Sequence, residues 1–92
     1  MAEKSDTVYI KADRNIEVAK ASVMLGDVLK IECTDPAMLA RIRSIHLLTF
    51  HHTDNKRQRR TVVSVLKVIQ KIHEIYPDAA VENIGETDFI VT

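Results

Sequence analysis

His51, His52 and Asp54 stand within four positions of one another, and His73 follows later in the chain. Neutral imidazole nitrogens and a carboxylate are ligands for a transition metal held at tetrahedral or octahedral angles. Adjacent histidines match none of the closed zinc spacings, however, so a solvated loop is the reading and no metal ligand is assigned. Next to them, Lys56, Arg57, Arg59 and Arg60 form a basic cluster. Arginine presents a planar fork matched to carboxylates and phosphates, so this cluster is the possible anion or partner contact, meeting lipid headgroups, an acidic partner or, equally, only water. Nucleic-acid binding usually adds interleaved aromatics or a recognition helix, and the chain has only two Tyr and two Phe with no Trp. No nucleic-acid partner is expected.

Catalytic groups are sparser still. Cys33 has no histidine at a helpful distance and falls in an apolar alternation, where a buried, inert thiol is the ordinary outcome. Ser64 is explained as a helix cap rather than a nucleophile. The carboxylates scatter through turns, where they are usually solvated, so no paired acid and base is assigned. Gly26 and Gly85 are the only glycines, too few for a phosphate-cradling loop. The expectation is a protein that is not an enzyme, with no catalytic residue and no cofactor.

The elements that must carry these residues can be read from the period of apolar positions. Val8, Ile10 and Ala12 alternate with polar residues, as in a half-buried strand, and Asp13-Arg14-Asn15 turns the chain. Ile16 and Val18 suggest a short second strand. Leu25-Gly26-Asp27-Val28 is a tight-turn signal in which glycine can take a positive φ and aspartate can bond its own backbone. Leu29, Ile31 and Cys33 resume the period of two. Thr34 or Asp35 then caps a short helix over about 35–43, with Pro36 at its first position and Met38, Leu39 and Ile42 on its apolar face.

Ile45 to Phe50 reads as a strand, His51 to Arg60 as an exposed loop, and Thr61 to Val63 as a strand returning antiparallel to the one before the loop. Ser64 caps the main amphipathic helix, about 64–76, whose stripe of Val65, Val68, Ile69, Ile72 and Tyr76 is a face for covering a sheet rather than a cofactor pocket. Pro77 stops it. Ala79 to Ile84 and Phe89 to Val91 read as two strands joined at Gly85-Glu86-Thr87-Asp88, a hairpin-type turn. The fold class is α+β, a small mixed or antiparallel sheet with one main helix and one shorter helix.

With 92 residues the chain has room for one domain and one core, expected over 7–92 after a disordered N-terminus at 1–6. Thirteen basic and thirteen acidic residues cancel, so no global field draws it to nucleic acid or an anionic membrane. A single cysteine makes no internal disulfide, which fits a reducing compartment or a domain with no need of staples. No apolar run approaches the roughly 20 residues of a membrane span, and a secretory signal is not evident.

A resemblance enters at four places in order: Thr7-Val8-Tyr9-Ile10-Lys11, Leu25-Gly26-Asp27-Val28-Leu29-Lys30-Ile31, Val63-Ser64-Val65-Leu66-Lys67-Val68-Ile69, and Ile75-Tyr76-Pro77-Asp78-Ala79 with Ile84-Gly85-Glu86-Thr87-Asp88-Phe89. Together they are similar to the N-terminal domain of stage V sporulation protein AA, over about residues 5–92. The Leu-Gly-Asp turn also resembles flagellar and pilus assembly domains. The sporulation resemblance implies a longer parent, anchored by transmembrane helices after Thr92, in a multi-protein assembly of the forespore and spore inner membrane. That assembly is associated with movement of dipicolinic acid, with calcium, in sporulation and germination. The implied role is a docking scaffold for the other subunits of the assembly. The alternative is a dipicolinate sensor using the basic cluster, and a third reading is homodimerisation through an exposed strand edge. No catalytic residue is implied, and the side of the membrane is left open.

Overall fold

A computed structural model of the chain describes residues 7–50 and 60–92. Residues 1–6, the expected N-terminal tail, and 51–59, most of the expected polar loop, lie outside the described residues. In chain order the elements are β1 (Thr7–Lys11), β2 (Asn15–Ile16), β3 (Ser22–Met24), α1 (Leu25–Val28), β4 (Lys30–Glu32), α2 (Pro36–Arg43), β5 (His46–Thr49), β6 (Thr61–Ser64), α3 (Val65–Ile75), β7 (Ala80–Asn83) and β8 (Asp88–Val91). The α+β class stands. The strands divide among three sheets ordered β4-β1-β7, β2-β8-β6 and β3-β5.

Two of the sheets are mixed, and the same two stretches of chain supply the parallel pair in each. β1 runs parallel to β7, with Val8 opposite Val81, and β2 runs parallel to β8, with Ile16 opposite Val91. Between them the backbone stays paired: Ile84 N–H donates to Ile10 C=O at 2.9 Å, Glu86 to Ala12 at 3.2 Å, Ile90 to Arg14 at 2.8 Å and Thr92 to Ile16 at 2.9 Å, while Val18 donates back to Thr92 C=O at 2.9 Å. The first and last stretches thus form one seam. Parallel strands need a long crossover, and everything between β2 and β7 provides it.

Two expected hairpins are corrected by this topology. β6 does not return onto β5: it pairs antiparallel with β8, and β5 pairs antiparallel with β3 across a register shift at Val23/Met24. A long polar connection leaves each strand at its ends free to seek a different partner. β7 and β8 also do not pair, because the chain at Gly85 steps from one sheet to the other. Neither glycine has a positive φ, so the conformation that a two-residue hairpin turn requires is absent there. Asn83 instead braces the step, accepting from Gly85 N–H at 3.0 Å and donating to Glu86 C=O at 3.1 Å. A Cβ on Gly85 would lie 2.7 Å from Ala12 N and 2.8 Å from Ala12 O. Glycine is needed there for close backbone approach, not for handedness.

The Leu-Gly-Asp signal is corrected in the same way, from a positive-φ turn to one helical turn, α1. Its glycine lets α1 sit on α2, since a Cβ on Gly26 would meet Arg43 Cβ and O at 3.0 Å. Asp27 bonds backbone, though not its own: it accepts from Met24 N–H at 2.8 Å. The two longer helices begin as read: Asp35 accepts from Ala37 and Met38 N–H with Pro36 at the first helical position, and Ser64 Oγ accepts from Leu66 N–H at 3.2 Å. One core runs through all three sheets. Val8 and Ile10 of β1, Val65, Val68 and Ile72 of α3, and Phe89 and Val91 of β8 belong to it, each fully or almost fully buried. No charged or polar residue is buried among the described residues.

Candidate functional site

The residues singled out for chemistry mostly take structural places. Cys33 is buried in the core. Ser64 is the α3 cap, as its position predicts. His73 Nε2 lies 2.8 Å from Ala79 C=O. A carbonyl only accepts, so that nitrogen carries the proton and ties α3 to the start of β7. His51, His52 and Asp54 lie outside the described residues, and among the described residues no group of three His, Cys, Asp or Glu side chains is placed to hold a metal. Of the basic cluster, Lys56, Arg57 and Arg59 also fall outside; Arg60 is exposed immediately before β6.

Asp27 is the one described acid whose environment clearly retunes it. The hydrogen bond from Met24 N–H holds its carboxyl below the ordinary aspartate range, with Lys20 Nζ, at 3.2 Å, and the Arg43 charge adding to the effect against partial desolvation. The Met24 bond closes the start of the α1 turn, and all but the desolvation favour the carboxylate form. They make a fixed anion rather than a proton donor.

The surface offers a different kind of site. β6 is an edge strand of its sheet. Val65 N–H donates to Thr87 C=O at 2.9 Å, and the register continues through Val63 opposite Phe89 and Thr61 opposite Val91. Antiparallel pairs alternate between bonded and non-bonded, so Val62 and Ser64 turn their backbone groups away from β8. Ile90 agrees, since its own N–H points the other way, to Arg14 C=O. A groove of about 340 Å³ runs along this outward edge, lined by Leu47 and Leu48 on one side and by Thr61, Val62, Val63, Ser64 and Lys67 on the other.

The groove is apolar where it is exposed and positive at its margin. Val62, in the groove wall, is 66% exposed; Leu66, outside the lining and one position along from the buried stripe of α3, is 69% exposed. Lys67 lines the groove, Arg60 precedes it, and neither is ion-paired with a carboxylate of the described residues. A second exposed apolar pair, Tyr9 and Ile84, lies on the β4-β1-β7 sheet, beside Lys11, Lys30 and Glu32. Sequence reasoning missed both surfaces. The signal for Leu66 was present, because it stands 100° around the helix from Val65 and off the apolar stripe; Val62 was hidden by its β-branched neighbours.

Comparison with known proteins gives a family and a fold. The sequence pattern of stage V sporulation protein AA matches residues 5–92. A crystal structure of a functionally unknown protein from Eubacterium ventriosum ATCC 27560 is similar, with a TM-score of 0.81 and 36% sequence identity, over 95% of this chain and 91% of that one. No curated protein matches. No described helix is long and apolar enough to cross a membrane. With the match spanning nearly all of its residues, the chain belongs to the stage V sporulation protein AA family.

Proposed function

We propose that this domain is a non-catalytic docking scaffold in a spore inner-membrane assembly that moves dipicolinic acid, with calcium, during sporulation and germination. The sporulation role follows from the family; the docking role is supported by one observation, the exposed apolar side chains Val62 and Leu66 beside an edge strand whose outward backbone groups have no strand partner among the described residues. Val62 lines the groove, and an apolar groove along an unpaired strand edge is a surface suited to meeting another polypeptide. The parent chain is anchored in the forespore and spore inner membrane, and the domain's partners are the other subunits of the assembly.

Co-purification tests this reading. The full-length parent, solubilised from spore membranes, should bring down the other subunits, and replacing Val62 and Leu66 together by Ser should reduce their recovery while the domain stays folded. Recovery of the parent alone from wild-type spores would contradict it. The sensing alternative places dipicolinate on Lys56, Arg57 and Arg59, which lie outside the described residues, and on the exposed Arg60. Dipicolinate titrated into the domain is expected to leave the amide spectrum unchanged.

A further inference from the structure

We propose that the β6 edge takes, as an added strand, an extended segment of a partner protein in which acidic residues flank a short apolar run. The inference rests on the docking reading and says where and with what chemistry docking occurs. Three features of the groove converge on it. The outward-facing backbone of Val62 and Ser64 offers donors and an acceptor in the plane of the β2-β8-β6 sheet, and an extended peptide is the ligand whose own backbone can meet all of them. Leu47 and Leu48 opposite and the exposed Val62 supply apolar walls for alternate side chains of that peptide.

Charge selects among the occupants. Arg60 and Lys67 bracket the edge without an ion-pair partner among the described residues, and the N-terminus of α3 opens at the Lys67 end, so the local field favours carboxylates. A second copy of this chain, added antiparallel about Val62, would bring each Arg60 toward the helix start and Lys67 of the other copy. Like charges then oppose that pairing. An anionic lipid surface would meet the cations but has no strand to place against the edge.

The test titrates the 92-residue chain, followed by amide and methyl chemical shifts, with an acetylated and amidated peptide Glu-Val-Thr-Val-Glu and with its Lys-Val-Thr-Val-Lys counterpart. The acidic peptide should bind saturably, shift the Val62 and Ser64 amides and the Leu47, Leu48 and Val62 methyls, and exceed the basic peptide by about tenfold in affinity, a difference that shrinks with added salt. Val62→Pro removes one outward N–H, leaves the β8 bonds in place and should abolish the shifts. Lys67→Glu, which keeps the edge intact and serves where Val62→Pro fails to fold, should erase the preference for the acidic peptide. Equal binding of the two peptides, shifts confined to other strands, or binding of phosphatidylserine vesicles without any response to peptide would overturn the proposal. Co-purification of the assembly undiminished in Val62→Pro would remove this edge as the site and leave docking itself standing.

Discussion

The seam between the first and last stretches of the chain and the outer edge of β6 are both built from β-strand, but they spend their polar and apolar groups in opposite ways. Along the seam, backbone donors from Ile84 to Thr92 meet carbonyls from Ile10 to Ile16, and a glycine removes even a Cβ so that two backbones can close up. At β6, one backbone row is spent on β8 and the other faces a groove, with Val62 left two-thirds exposed. The difference separates what holds the domain together from what the domain has left to offer. Groups satisfied inside the fold contribute to stability; groups left facing outward contribute to binding.

Substitutions along the seam should therefore act on stability first. Phe89, almost wholly buried in the central strand β8, leaves a large void when cut back, and Phe89→Ala should destabilise the domain by about 3–5 kcal/mol in urea unfolding. The matching cut at the edge, Val62→Ala, should fall within about 0.5 kcal/mol of wild type. Similar losses at the two positions would erase the contrast. Next comes Gly85→Ala, which drives a Cβ into the Ala12 backbone and should cost about 1–3 kcal/mol, although a Gly→Ala change in an open turn usually stabilises.

Ser64→Ala sits where the two regions meet, at the end of β6 and the start of α3. Losing its bond to Leu66 N–H should cost about 1 kcal/mol, read as a lower thermal midpoint, with the β6–β8 pairing unchanged in the amide spectrum. The smallest effect is at Asp27. Its folded pKa is depressed, so its contribution is fully present above the unfolded aspartate value and is lost as pH falls through the lower folded value. Asp27→Asn should accordingly flatten the acid end of the stability–pH curve and leave groove binding untouched.

Much of the fold was legible because local chemistry decided it. The alternation of Val8 and Ile10, the Asp35-Pro36 and Ser64 caps and the stop at Pro77 each act within a few residues, and the structure places them as read. Pairing was not legible. Thr61 to Val63 carries no mark that says β8 rather than β5, and Gly85 reads the same whether it supplies a positive φ or a close approach. Both questions are settled by segments far away in sequence, Arg14 and Ala12 among them. The candidate site suffered similarly: Leu66 could be recognised as off-stripe, whereas the groove exists only because Leu47 and Leu48 come to face Val62. Of the basic cluster that sequence pointed to, Arg60 alone can be placed, at the margin of that groove.

The most direct measurement is photo-crosslinking in sporulating cells with the protein carrying a photoreactive residue in place of Val62, against the same probe at the exposed Glu17. If the β6 edge is the docking site, protein adducts form from position 62 and none from position 17. Lipid adducts alone at position 62, or the same adducts from both positions, would contradict it.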